Sequence, residues 1–110
     1  MTSLSTHVLD AVTGTPAAAL AVELLSDAAG EWRPVASGRT DADGRIPSLG
    51  AGELGAGRHR LVFATGDWFS GQGLPAFYPE VVVTFEIDEE RHYHVPLLLS
   101  PYAYSTYRGS

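Results

Sequence analysis

The ionisable side chains of this 110-residue chain are four imidazoles, five phenols, thirteen carboxylates and seven basic groups; every basic residue is an arginine and cysteine is absent. Thiol nucleophiles, thiolate metal sites, disulfides and lysine Schiff bases are therefore excluded. What remains is proton transfer by His, charge stabilisation by Arg and hydrogen bonding by Tyr and Ser. At neutral pH proton transfer falls to imidazole, because its ordinary pKa lies closest to 7. His92 and His94 stand two residues apart, which puts both side chains on one face of a strand. Such a pair could begin a zinc site, but zinc takes three or four protein ligands and only His7 and His59 remain as imidazoles. No metal and no cofactor are expected. Arg45 directly follows Asp41-Ala42-Asp43-Gly44 and offers a permanently charged, planar fork of donors. The turn before it resembles the start of a calcium loop, yet Gly52 stands where that loop needs its Glu, so the hairpin-turn reading is preferred. Ser110 has no Gly-x-Ser-x-Gly elbow around it and supports no serine-hydrolase triad.

Positioning these groups requires strands. Short stretches of period-2 alternation are separated by Gly, Pro and Asp at the spacing of an all-β sandwich. The clearest runs from Glu80 to Ile87, with Val81, Val83, Phe85 and Ile87 opposing Val82, Thr84 and Glu86. Arg58–Thr65 alternates likewise. Further strands are expected over Ser5–Asp10, Ala18–Leu25, Trp32–Ser37, a short one after Arg45, His92–Leu99 and Tyr102–Tyr107, about eight in all. Turns are expected at Thr13-Gly14-Thr15-Pro16, Asp27-Ala28-Ala29-Gly30 and Asp41–Gly44. The stretch from Leu49 to Gly57 reads as a flexible surface loop. One short helix is expected from Trp68 to Gln72, with Asp67 as its cap.

Alternation also assigns faces. In the first strand His7 and Leu9 oppose Thr6 and Val8. In the strand expected over His92–Leu99, Val95, Leu97 and Leu99 make the core face, so His94, Pro96 and Leu98 point outward. Apolar Leu9 and Leu98 on an outer face imply that the face is covered, and a partner subunit would cover it.

Length and charge narrow the class. The chain is one domain's worth, read as a single domain over residues 1–110. A formal net charge of -6 disfavours a phosphate-binding surface, so nucleic acid is not an expected partner. No basic start followed by an apolar stretch is visible, and no apolar run reaches membrane-spanning length. No membrane partner is expected, and the cytoplasm is the expected location.

Read as strings, the candidates carry more. The tail His92-Tyr93-His94-Val95-Pro96-Leu97-Leu98-Leu99-Ser100-Pro101-Tyr102 through Tyr107-Arg108-Gly109-Ser110 resembles the closing signature of 5-hydroxyisourate hydrolases, members of the transthyretin-like family. Ser5-Thr6-His7-Val8-Leu9-Asp10, Gly14-Thr15-Pro16-Ala17 and Thr40-Asp41-Ala42-Asp43-Gly44-Arg45 resemble the family's earlier blocks, and Thr65-Gly66-Asp67 and Phe77-Tyr78-Pro79-Glu80 lie between. The resemblance covers nearly the whole chain. It implies two four-stranded sheets in a transthyretin-like sandwich with one short helix. It also implies a homotetramer around a central channel, with sites at the dimer–dimer interface.

On that resemblance His7, Arg45 and His94 occupy the catalytic positions, and Tyr107, Arg108, Gly109 and Ser110 the site-lining tail, with His7 and Arg45 also contacting substrate. The implied reaction is hydrolysis of 5-hydroxyisourate to 2-oxo-4-hydroxy-4-carboxy-5-ureidoimidazoline in urate degradation. Water is activated by a His, either His94 or His7, and Arg45 stabilises the developing negative charge. Two other readings stand beside it: a non-catalytic ligand carrier of the same fold, and a structural β-sandwich module.

Overall fold

Alternating side chains and glycine-bearing turns produce nine strands and one helix in the computed structural model, which describes residues 1–110. One sheet contains β1 (Ser3–Asp10), β2 (Thr15–Pro16), β5 (Arg45–Ile46), β8 (His92–Ser100) and β9 (Ala103–Thr106). Its order is β2-β1-β8-β9, with β5 also pairing β1. The other sheet is β4-β3-β6-β7, from β3 (Ala21–Ala28), β4 (Glu31–Arg39), β6 (Gly57–Phe63) and β7 (Val81–Ile87). All pairings are antiparallel except β1 with β8, which joins the two ends of the chain in parallel. No helix is long and apolar enough to cross a membrane.

The core lies between the sheets. Leu4, Val8, Val95, Leu97 and Leu99 face Val22, Leu24, Leu61, Phe63, Val81 and Ile87, all buried. Each such side chain contributes roughly 1.5–3 kcal/mol when buried, and a one-residue slip would turn a whole strand's set outward. Core residues thus fix which residues of β1 and β8 project from the opposite face. Thr6, among the core residues, satisfies its hydroxyl by donating to the Val95 carbonyl at 2.6 Å.

His59 belongs to this interior and not to a site. It is 3 % exposed on β6 and stacks on Phe85. Its Nε2 lies 2.8 Å from the Gly55 carbonyl, which can only accept, so Nε2 carries the hydrogen and Nδ1 accepts from the Ser26 hydroxyl at 2.8 Å.

Several elements differ from expectation. β2 is an additional two-residue strand, and with β5 it raises the first sheet to five members. β3 starts at Ala21, because Ala17 and Leu20 are consumed by a connection whose polar groups are met by Thr40. The Thr40 hydroxyl donates to the Ala17 carbonyl at 2.6 Å and accepts the Leu20 amide at 2.9 Å. α1 spans Thr65–Ser70, with Asp67 inside its first turn and no side-chain cap. It is held by burial of Phe69 and by Trp68 Nε1 donating to the Ala18 carbonyl at 2.8 Å, so tertiary contact replaces the cap. The Leu49–Gly57 stretch is not wholly a surface loop: Leu49 is a buried core residue whose amide donates to the Leu4 carbonyl at 3.0 Å.

Candidate active site

Three adjacent strands, β5, β1 and β8, carry the expected chemical groups on one outer face. His7 is the register partner of Arg45 on β5 and of Pro96 on β8, and His94 pairs with Ser5. His7 and His94 are half-buried, and Arg45 is exposed. Neighbouring strands stand ~4.8 Å apart, so the β5 and β8 backbones are about 10 Å apart across β1, a span that admits a small ring between Arg45 and His94.

Each group is placed by local chemistry. The Asp41 carboxylate accepts the amides of Asp43 at 2.9 Å and Arg45 at 3.0 Å, and the Asp41 amide donates to the Arg45 carbonyl at 2.8 Å. Gly44 closes the turn at φ +75, and a Cβ there would meet the Val8 carbonyl oxygen and lie 3.1 Å from Pro16 Cβ. Only glycine fits that approach. Arg45 therefore leaves a rigid hairpin with Ile46 turned into the core. The chain's ion pair joins Arg91 and Glu89, leaving the Arg45 guanidinium without a carboxylate partner.

His94 is anchored at one nitrogen. Ser5 Oγ lies 2.8 Å from its Nδ1, so Nε2 is the nitrogen left for a ligand. The tail holds the other side of the ring. The Gly109 amide donates to the His94 carbonyl at 2.9 Å, and a Cβ on Gly109 would collide with His94 Cδ2 and lie 3.0 Å from Cγ. Glycine at 109 thus makes room for the His94 ring itself.

The other tail residues are less closely gathered. Tyr107, Arg108 and Ser110 are exposed. Tyr107 and Arg108 meet His94 along a cleft of about 350 Å³ at the sandwich edge, also lined by Val83, Phe85 and Tyr93. His7 and Arg45 are not among its lining residues. Within one chain His7, Arg45 and His94 share a sheet face, whereas Tyr107 and Arg108 flank His94 from the edge. Ser3 and Ser5 are the neighbours that sequence reading missed, and His92, read there only as half of a metal pair, hydrogen-bonds to both. Period-2 alternation puts Ser5 on the face of His7, and Ser3 joins it because β1 starts two residues before the expected Ser5; the missing information was the parallel register that sets them opposite His92 and His94. No group of three or more His, Cys, Asp or Glu side chains is arranged to hold a metal ion.

The His94 pKa is lowered from its ordinary 6.5, first by burial and then by the positive forms of His92 and His7, with a smaller push from Arg45; hydrogen bonding to the Ser5 backbone opposes them. A folded-state pKa below the unfolded one means that acidification protonates the unfolded chain first. His94's contribution to stability is therefore complete above about pH 6.5 and lost as pH falls below it. Chemical denaturation of wild type and His94→Asn across pH 4.5–8 is expected to show a shallower acid-side decline in the variant. Parallel curves would remove this coupling.

Two packed sheets, one built around the parallel β1–β8 pair and carrying imidazole and guanidinium on its outer face, define a transthyretin-type sandwich. The chain belongs to the HIUase/Transthyretin family, whose pattern matches residues 4–109. Among similar proteins, a 5-hydroxyisourate hydrolase of Mesorhizobium japonicum is 48% identical over 113 residues, covering 97% of this chain and 91% of that protein. One of Caulobacter vibrioides is 44% identical over 115 residues and the full length of both. The solved structure of Klebsiella pneumoniae 5-hydroxyisourate hydrolase superposes with a TM-score of 0.90 at 41% identity, covering all of both chains. Sea bream transthyretin in complex with thyroxine superposes at 0.91 with 37% identity, covering 96% of this chain and 93% of that one.

Proposed function

We propose that the chain is a cofactor-free hydrolase that opens 5-hydroxyisourate to 2-oxo-4-hydroxy-4-carboxy-5-ureidoimidazoline. The observation that carries this reading is the row of Arg45, His7 and His94 on three adjacent strands, with His94 tied at Nδ1 and open at Nε2. His94 Nε2 takes a proton from water as the water oxygen bonds to a ring carbonyl carbon. Arg45 stabilises the negative charge gathering on that carbonyl oxygen. The ring carbon–nitrogen bond then breaks and the nitrogen leaves with a proton. His7, beside Arg45, and the tail residues Tyr107, Arg108, Gly109 and Ser110 bind and orient the ring. General-base help of ~10²–10⁴-fold and charge stabilisation of ~10²–10³-fold together lower the barrier by roughly 5–10 kcal/mol.

The homotetramer, with sites at the dimer–dimer interface, is part of the same proposal. Leu98 is exposed and Leu9 half-buried on the face that carries the site, and apolar groups beside a catalytic row call for a covering surface. A carrier of apolar ligands on this face would have to bury His7, His94 and an unpaired guanidinium against its cargo, at a cost in desolvation that a hydrolase's polar substrate avoids.

The test is the absorbance decay of freshly generated 5-hydroxyisourate with and without the protein, alongside the mass in solution. Accelerated decay by a particle of four 11.7 kDa chains is expected. Spontaneous decay in the presence of a folded tetramer would refute the hydrolase and turn attention to ligand binding. A monomer active at full rate would refute the shared-interface site.

A further inference from the structure

On the face that β1 and β8 share, hydroxyl and imidazole side chains alternate. Ser3 is the register partner of His92 and Ser5 that of His94. Ser3 Oγ lies 2.6 Å from His92 Nδ1, Ser5 Oγ 2.8 Å from His92 Nε2, and the same Ser5 Oγ 2.8 Å from His94 Nδ1. Of the four ring nitrogens only His94 Nε2 is outside the row. A hydroxyl has one hydrogen to give, and a neutral imidazole has one N–H and one bare nitrogen. With one hydrogen in each contact and the Ser5 hydrogen spent within the row, two arrangements are consistent. In the first, His94 Nδ1 donates to Ser5, Ser5 donates to His92 Nε2, His92 Nδ1 donates to Ser3, and His94 Nε2 is bare. In the second every bond is reversed and His94 Nε2 carries the hydrogen. The row runs from half-buried His94 to exposed His92 and half-buried Ser3.

We propose that Ser3, His92 and Ser5 form a proton relay that switches His94 between its two neutral tautomers during turnover, an inference that rests on the hydrolase reading above. As His94 Nε2 takes a proton from the attacking water, its Nδ1 proton passes to Ser5 Oγ. Ser5 passes its own proton to His92 Nε2, His92 passes its Nδ1 proton to Ser3 Oγ, and the Ser3 hydroxyl releases one to solvent. One proton enters and one leaves. His94 is now an Nε2–H donor, the form that can protonate the departing ring nitrogen. When it does so, the shifts run backward and Ser3 takes a proton from solvent, which restores the first arrangement.

A relay answers a specific electrostatic difficulty. Without it, His94 would become an imidazolium on a face that also carries Arg45 on β5, His7 on β1 and its own strand neighbour His92, with Arg108 of the tail near Tyr93. Burial, His92, His7 and, to a smaller extent, Arg45 already disfavour that cation. Removing a proton at Nδ1 while one arrives at Nε2 keeps the ring neutral throughout. Ser5 and His92 are positioning residues here; neither has to touch the substrate.

The full chain and its Ser5→Ala, Ser5→Thr and His92→Gln variants are to be compared in the 5-hydroxyisourate decay assay. Ser5→Ala and His92→Gln are expected to lower kcat by ~10–10³-fold, within the range that acid–base assistance supplies, with KM changed less than about twofold. Ser5→Thr keeps the hydroxyl and is expected to retain most of the rate. Added imidazole is expected to restore part of the His92→Gln rate. In mixed H2O and D2O the wild-type rate is expected to curve with deuterium fraction, from several protons in flight, and the Ser5→Ala rate to be linear. Wild-type kcat in both variants, or loss without imidazole rescue and with an unchanged deuterium response, would overturn the relay while leaving the hydrolase standing. Failure of the wild type itself to accelerate decay would refute the hydrolase reading and the relay with it.

Discussion

His94→Asn is expected to lower kcat for 5-hydroxyisourate by ~10²–10⁴-fold, the range that a positioned general base supplies. Asparagine approximates the near half of the imidazole, so it can still meet the Ser5 hydroxyl and lie beside Gly109, and the tail has no reason to shift. What it lacks is a basic atom where Nε2 stood. On the proposal that Arg45, His7 and the tail bind the substrate, KM is expected to move far less than kcat, the pattern of an interaction made in the transition state. The wild-type rate should fall on the acid side with a midpoint below 6.5, because burial, His92 and His7 lower the His94 pKa. A midpoint at or above 6.5, or a loss under tenfold in His94→Asn, would move the base to another group. His7 would then be the first to examine. Stopped-flow absorbance on freshly generated substrate measures both quantities.

The faces of β1 and β8 were legible in the sequence because core burial imposes period 2 on a strand whatever its partners are. Val95, Leu97 and Leu99 turned inward and His94 outward as alternation required, and His7 followed the same rule on β1. Register was not legible. The parallel pairing that sets Ser5 against His94 joins residues 89 apart in sequence, and nothing in either strand's own pattern selects that partner. Resemblance to a known family supplied the set of candidate site residues but not how they bond to one another, and so the Ser5 link between His92 and His94 stayed out of view. Errors elsewhere have the same origin. Asp67 looked like a cap by local propensity, yet α1 begins two residues earlier because Phe69 and Trp68 dock on the sandwich. Leu49 looked exposed amid glycines, and the open end of the core drew it in.

Arg45→Gln is expected to lower kcat/KM by ~10²–10³-fold, the usual loss when one stabiliser of a developing oxyanion is removed. Glutamine keeps a donor and much of the length but carries no charge. Arg45→Lys separates charge from geometry: a lysine supplies a mobile point charge without the planar fork, so it is expected to recover less than a tenth of the wild-type value. Both variants should fold, since the hairpin is held by the Asp41 carboxylate on backbone amides and by Gly44, none of which involves the guanidinium. Removing this cation also relieves one of the forces that keep His94 neutral, so the acid limb of the pH–rate profile should shift upward in Arg45→Gln. The His94→Asn change removes that limb's titrating group altogether. A double variant would therefore show whether the two act on one transition state: groups that work as a unit lose less together than the product of their separate losses. Full multiplicativity would mean that Arg45 acts in binding alone, with charge stabilisation at the carbonyl supplied from elsewhere on the covered face.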